Sequence, residues 1–242
     1  MTDIRGIIFD KDGTLFDFTR TWGEWARRVI EDLSAGDADL ARELARILGF
    51  DRENGTFDPA SMVIAETADS VMQALLPLLP GRDPGSLLDR LNQLSGEVDP
   101  APATDLVAVL TQLRFPADAA PRRIGLATND AEEPAHRHLR SAGVDDLFDF
   151  VVGYDSGFGG KPEAGQLIAF ATQMALAPAC VAMVGDSRHD LDAARAAGMM
   201  AVAVLTGVAL AEELAPHADV VLPDISHLPE WLAGQAGRPR RA

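Results

Sequence analysis

Residues 7 to 17, IIFDKDGTLFD, end an apolar run with two aspartates two positions apart, a lysine between them and a glycine directly after. Two carboxylates held that close need a cation nearby, and an all-oxygen ligand set suits a hard one such as Mg²⁺. Three other apolar runs also end in polar residues: Thr128 and Asn129 follow one, Lys161 lies in the GFGGKP loop after another, and Asp186 and Asp190 lie in GDSRHD after a third. Ligands of an open parallel sheet bind beyond the carboxyl ends of its strands, so these four ends are expected to converge. A cation held by the carboxylates would neutralise a phosphate. The Thr128 hydroxyl, Lys161 and the backbone N–H groups of the Gly13 turn would then donate to its oxygens. One carboxylate can attack phosphorus while its neighbour moves protons. In an extended segment Asp10 and Asp12 point one way and Lys11 the other. Lys11 is therefore expected to offer a phosphate only its backbone N–H, and Lys11→Ala to leave most activity intact.

The elements that must position these residues follow from hydropathy. Strand-length runs occur at 4–9, 123–128, 148–153, 180–185, 200–205 and 218–223. They alternate with helical patterns such as PEAGQLIAFATQMAL and HDLDAARAAGM, the latter closing on Gly198 as a C-cap. Continuous apolar strands joined by helices require a parallel sheet covered on both faces, an open α/β fold with right-handed crossovers. Residues 17–100 read differently: helical periods and no strand. Trp22, Trp25, Ala26, Val29 and Leu33 share one helix face, and further helices are expected at DLARELARILGF, ASMVIAETADSVMQALLPLL and GSLLDRLNQL. The segment 114–123 reads as a surface loop and the basic tail 237–242 as a disordered end.

The chain has 242 residues, enough for a main domain with a smaller one inserted, and an ordinary globular composition. A formal net charge of −16 with scattered basic residues argues against nucleic acid or an anionic membrane as partner. One cysteine, Cys180, and no apolar stretch of signal-peptide or membrane-span length lead to the expectation of a cytoplasmic protein.

With DKDGTLFD, LATND, GGKPEAG and VGDSRHDLDAARAAGM in this order, the sequence resembles the haloacid dehalogenase (HAD) superfamily of phosphatases. Within it, the chain is similar to the phosphoglycolate phosphatase-like group with a helical cap after the first motif. The resemblance spans nearly the whole chain. It implies a Rossmann-like core of residues 1–16 and 101–242 and an α-helical cap of residues 17–100. It also implies Asp10 as the nucleophile that forms an aspartyl-phosphate, and Asp12 as the acid that protonates the leaving alkoxide and then activates water. Thr128 and Lys161 would hold the phosphoryl group, with Lys11, Gly13 and Asn129 beside them. Mg²⁺ would lie between Asp10, Asp186 and the backbone carbonyl of Asp12, while Asp190 orients Lys161 or a metal-bound water. Lys11 stands where the family commonly has an apolar or aromatic residue. The implied substrate is a small phosphate ester like phosphoglycolate, handled by a monomer or homodimer.

Competing readings are separable. A phosphomutase of the β-phosphoglucomutase type shares core and cap but needs a cap that excludes water from an intermediate. A dehalogenase has no use for Asp12, and a phosphonate hydrolase needs a cap lysine, absent between Asp17 and Pro100. A non-catalytic phosphate-binding regulator would have lost one of Asp10, Asp12, Lys161 or Asp186, and none is lost. Blander roles are expected elsewhere. Thr128 could cap the helix after it, Ser187 acts as an N-cap and His189 as a loop residue. Pro162 opens a helix, Cys180 packs in the core, and His136 and His138 lie on a solvated helix. Trp22 and Trp25 pack within the cap or, for Trp22, line its entrance. Arg20, Arg27 and Arg28 are the candidates to meet a substrate carboxylate.

Overall fold

The apolar run before Asp10 becomes β1 (Gly6–Phe9), all four of its residues buried. In the computed structural model, which describes residues 3–58, 60–64, 66–117 and 120–236, there follow α1 (Phe18–Ser34), α2 (Ala38–Leu48), β2 (Phe50–Asp51), β3 (Thr56–Phe57), α3 (Ala68–Leu75), α4 (Pro84–Gly96) and α5 (Leu106–Arg114). Then come β4 (Arg123–Ala127), α6 (Glu132–Ser141), β5 (Phe150–Val152), α7 (Gly165–Gln173), β6 (Val181–Gly185) and α8 (Arg188–Ala197). The described chain ends with β7 (Met200–Val204), α9 (Ala211–Leu214), β8 (Val220–Leu222) and α10 (Leu228–Ala236).

The main sheet has the order β5-β4-β1-β6-β7-β8, and every pairing within it is parallel. The expected α/β class is the observed one. Because successive side chains alternate across a strand, Ile7 and Phe9 of β1 join α5, α6 and α10 in one apolar layer, while Ile8 joins α7 and α8 in the other. Phe9 is in register with Leu126 of β4 and Val184 of β6. Asp10 therefore leaves the sheet at its centre, where β4 and β6 also end.

Helices α1 to α4 surround a separate apolar cluster that includes Trp25, Val29, Leu44, Leu75 and Leu91. Two departures from expectation fall here. A two-stranded antiparallel hairpin, β2–β3, stands where no strand is expected. Its turn is built by the Asp51 carboxylate, which accepts from the backbone of Glu53 and Asn54, and by Gly55 at φ 71°. Residues 60–79 are also not one helix. Thr67 caps α3 by accepting from Ser70 N–H, and beyond Leu75 the chain tightens into a 3₁₀ turn at Pro77, which has no N–H to continue the ladder.

Two further expectations change. α7 begins at Gly165, so Pro162 does not open it. Cys180 lies half-exposed in a short 3₁₀ turn before β6 and packs less deeply than expected. The basic tail 237–242 and residues 118–119 of the 114–123 loop lie outside the described residues. Among the described residues no helix is long and apolar enough to cross a membrane.

Candidate active site

Beyond β1 the chain turns immediately. Leu15 and Phe16 N–H both bond the Lys11 carbonyl, and Gly13 N–H bonds Phe16 O at 2.7 Å. Gly13 takes φ 78°, and a Cβ there would collide with the Asp186 carboxylate. Gly207 approaches Asp186 from another side just as closely, and Thr14 Oγ1 donates to Asp186 Oδ1 at 3.2 Å. Glycine at both positions is thus what lets two backbones close on one carboxylate.

Asp186, at the end of β6, offers oxygens within 4.8 Å of those of Asp10 and Asp190. Lys161 lies among them: its Nζ is 2.6 Å from Asp10 Oδ1 and 2.6 Å from Asp190 Oδ1. The other Asp190 oxygen accepts from Ser187 N–H and Oγ, closing a capping box on α8, so both of its oxygens are engaged. Three carboxylates around one ammonium leave negative charge in excess. Burial raises Asp10 to about 7, opposed by the Lys161 charge and reinforced by Asp190 and Asp12. Burial also raises Asp186 well above the ordinary carboxylate range, with Asp10 and Asp190 adding to it. Lys161 is pushed up: burial disfavours its charge, but Asp10 and Asp190 outweigh that. The donor set fits a hard divalent cation, because Asp10 and Asp186 have oxygen donors and no positive partner sufficient for them.

Asn129 Oδ1 accepts from Lys161 N–H at 2.8 Å while its Nδ2 donates to Lys161 O at 2.9 Å. This reciprocal pair fixes the loop that carries Lys161, a bracing contact not anticipated from sequence. Thr128 is buried; its Oγ1 accepts from Asp130 N–H, and Gln166 Nε2 donates to its carbonyl. The helix after it, α6, has Ala131 as its N-cap, so Thr128 does not cap it.

Lys11 requires a correction. Its side chain does not turn away from Asp12 as expected; it is fully buried and engaged. Nζ is 2.8 Å from Asp12 Oδ2, 3.1 Å from Asp130 Oδ2 and 3.0 Å from His138 Nδ1, and it lies 5.4 Å from the centre of the Trp22 ring. All three ammonium hydrogens thus have acceptors. Strand alternation failed as a guide because sheet pairing ends at Phe9. From Asp10 onward the chain is a turn, and Asp12 faces Lys11 rather than following Asp10. Burial lowers the Lys11 pKa, but Asp12 and Asp130 together raise it above its ordinary value. His138, expected on a solvated face, is buried as well. Burial and the Lys11 charge lower it to about 4, so the ring is neutral, accepting from Lys11 at Nδ1 and donating from Nε2 to Ser95 O at 2.9 Å. Ser95 Oγ donates to Asp130 Oδ2 at 3.0 Å, which ties α4 into the same network. Sequence reasoning missed Asp130, His138 and Ser95. The one available signal was the apolar face of α6, where His138 follows Pro134 by one turn beside Ala135 and Leu139.

One pocket gathers the strand ends: Asp10, Asp12, Thr128, Asn129, Lys161 and Asp190 line it, together with Asp130, Ser187 and His189. Its other wall belongs to α1, α3, α4 and the segment before α3, and Trp22 and Trp25 both lie on it. His189 sits in the first turn of α8, not in a loop. Asp12 Oδ1, Trp22 Nε1, Asn92 Oδ1 and His189 Nδ1 are buried without partners, and all four side chains line this pocket. Arg20, Arg27 and Arg28 do not line it; Arg27 packs over Phe50 and Arg28 bonds Glu24 and Glu97 O.

The description haloacid dehalogenase-like hydrolase matches residues 4–198. A phosphoglycolate phosphatase of Escherichia coli (strain K12) is 27% identical over 237 residues, covering 92% of this chain and 88% of its own. Another, from Neisseria meningitidis, is 27% identical over 246 residues, covering 96% and 90%. Among solved structures, a predicted phosphoglycolate phosphatase from Haemophilus somnus superposes with a TM-score of 0.71 at 19% identity, over 96% of this chain and 99% of that one. An L-2-haloacid dehalogenase from Xanthobacter autotrophicus superposes with a TM-score of 0.62 at 20% identity, also over 96% and 99%. The last two share a fold with this chain while carrying different names, so the fold alone does not choose the reaction.

Proposed function

Since the chain belongs to the haloacid dehalogenase-like hydrolases, we propose that it is a Mg²⁺-dependent phosphatase of small phosphate monoesters, working through an aspartyl-phosphate on Asp10. The observation that carries this reading is the Asp10 carboxylate. It is buried, 2.6 Å from Lys161 Nζ, and shares one pocket with an Asp12 oxygen that has no partner. A cation held by Asp10, Asp186 and the backbone carbonyl of Asp12 would neutralise the phosphoryl oxygens and the carboxylates together. Asp10 attacks phosphorus and the ester P–O bond breaks, with Lys161 and Thr128 holding the transferring oxygens. Asp12 Oδ1 gives its proton to the departing alkoxide oxygen. It then takes one from the water that attacks phosphorus, which releases inorganic phosphate and restores the Asp10 carboxylate. Asp190 and Asn129 position Lys161, by its Nζ and its backbone respectively. Of the turn's backbone N–H groups, that of Asp12 would serve the phosphate; the expected Gly13 donor is taken by Phe16 O and Lys11 N–H donates to Asp10 Oδ1.

Lys11 is, on this reading, a positioning residue for Asp12. By holding Oδ2 it leaves Oδ1 as the atom for proton transfer. Residues 17–100 form the cap domain over the core domain of 1–16 and 101–242. The chain crosses between them at two adjacent points, where Asp17 N–H bonds Ala101 O and Ala103 N–H bonds Leu15 O. The test is hydrolysis of p-nitrophenyl phosphate and of phosphoglycolate with and without Mg²⁺. Metal-dependent release of phosphate is expected, and an inert native protein across a panel of small phosphoesters would end the proposal.

A further inference from the structure

We propose that the leaving group this pocket accepts is an uncharged, largely apolar alcohol carrying one hydrogen-bonding group, and that a carboxylate on the leaving group is selected against. This rests on the phosphatase reading above and goes on to the substrate class. Among the described residues that line the pocket, Lys161 is the one lysine and none is an arginine, whereas Asp10, Asp12, Glu66, Asp130 and Asp190 are carboxylates. Lys161 is already shared between Asp10 and Asp190. Once a phosphoryl group occupies that end, neither lysine nor arginine remains on the described lining for a second anion, and the wall opposite carries Glu66 instead. A leaving-group carboxylate would lose its water, gain no positive partner and face a like charge.

The remainder of that wall is apolar: Phe18, Trp22, Trp25, Ile64 and Val71, with Leu91 beside them. Such a surface binds by covering hydrocarbon. Its polar exceptions are neutral. Trp22 Nε1 is a donor and Asn92 Oδ1 an acceptor, both buried without partners, although Asn92 also bonds the Tyr154 side chain. A ligand group such as a hydroxyl or a carboxamide can accept from one and donate to the other. A carboxylate can only accept.

The experiment uses the full chain with Mg²⁺ and compares phosphoglycolate with its carboxamide, phosphoglycolamide, which differs chiefly in charge. A series of n-alkyl phosphates from ethyl to hexyl, with leaving alcohols of similar pKa, reads the apolar wall. We expect kcat/KM for the carboxamide to exceed that for phosphoglycolate by at least about tenfold, and kcat/KM to rise by about tenfold or more along the alkyl series. Glu66 is exposed, so Glu66→Arg should fold, and it should raise the phosphoglycolate-to-phosphoglycolamide ratio by about tenfold. Equal or better use of phosphoglycolate by a protein that also hydrolyses p-nitrophenyl phosphate overturns this inference and leaves the phosphatase reading standing. A protein inert towards every ester, p-nitrophenyl phosphate included, overturns both.

Discussion

Lys11 and Lys161 are both buried ammonium groups set between two aspartates, yet their surroundings differ in one decisive respect. Lys161 lines the pocket, and its partners Asp10 and Asp190 share their space with a third carboxylate, Asp186. Lys11 does not line it. Asp12, Asp130 and the neutral His138 ring take all three of its hydrogens, and Trp22 lies nearby. The first cluster is short of positive charge and open to a ligand that supplies it. The second has one ammonium for two carboxylates; Asp12 and Asp130 reach the pocket, but the ammonium between them is closed off from it. Equal residue types, both buried, therefore face different surroundings: one lysine lines the pocket, and the other contacts Asp12 behind it.

The comparison can be broken by substitution. The largest effect is expected from Asp10→Asn, which should lower turnover of p-nitrophenyl phosphate by more than about 10⁴-fold, since it removes the proposed nucleophile. An active variant would displace Asp10 from that role. Lys161→Met should lower kcat by about 10³-fold and weaken vanadate binding as well, because on the proposed reading its charge meets the phosphoryl group directly. Lys11→Met should lower kcat by about 10²-fold while vanadate affinity stays near that of the native protein, with partial recovery in Lys11→Arg. If Lys11→Met instead weakens vanadate binding as Lys161→Met does, the two lysines are not distinct in the way described. His138→Phe keeps the ring and removes the acceptor at Nδ1 and the donor at Nε2. A fall in kcat of about tenfold is expected, read from the same kcat and KM measurements.

The smallest effect concerns the reverse arrangement, one carboxylate between two guanidinium groups. Asp149 contacts Arg114 at 2.6 Å and Arg123 at 3.1 Å and accepts from Ile124 N–H. Burial alone would raise its pKa, but the hydrogen bonds from Arg114 and Ile124 and the Arg114 charge hold it below the ordinary carboxylate value. A carboxylate depressed by folding stabilises the native state at pH above its unfolded pKa, and that contribution is lost as pH falls through the folded value. Asp149→Asn should therefore cost about 1–2 kcal/mol in urea unfolding at pH 7. The gap should close as the pH drops below about 4. A gap that widened in acid would contradict the assignment.

Much of this was legible in the chain. Each strand of the main sheet came from a continuous apolar run and each run ended close to its expected residue, because a strand buried on both faces leaves no room for polar interruption. Asp10, Thr128 and Asp186 were singled out because they stand at the ends of those runs, and Asp12, Lys161 and Asp190 because they lie in the polar segments that follow. The β2–β3 hairpin was not legible, since its two-residue strands are too short to show a period and depend on the Asp51 turn. His138 was misread because a lone polar residue on a mostly polar helix resembles a solvated one. It is buried by partners, Lys11 and Ser95, that lie 127 and 43 residues away in sequence.

What the sequence determined by itself is the order of elements and which polar residues stand at strand ends, since hydropathy period and turn residues are local properties. Which of those residues face one another, that Lys11 closes on Asp12, and that the wall opposite Lys161 holds tryptophans and Glu66 and, among the described residues, no arginine were decided only by the tertiary structure. Contact between an ammonium and a carboxylate falls off within a few ångströms, and the chain brings such groups together only by folding.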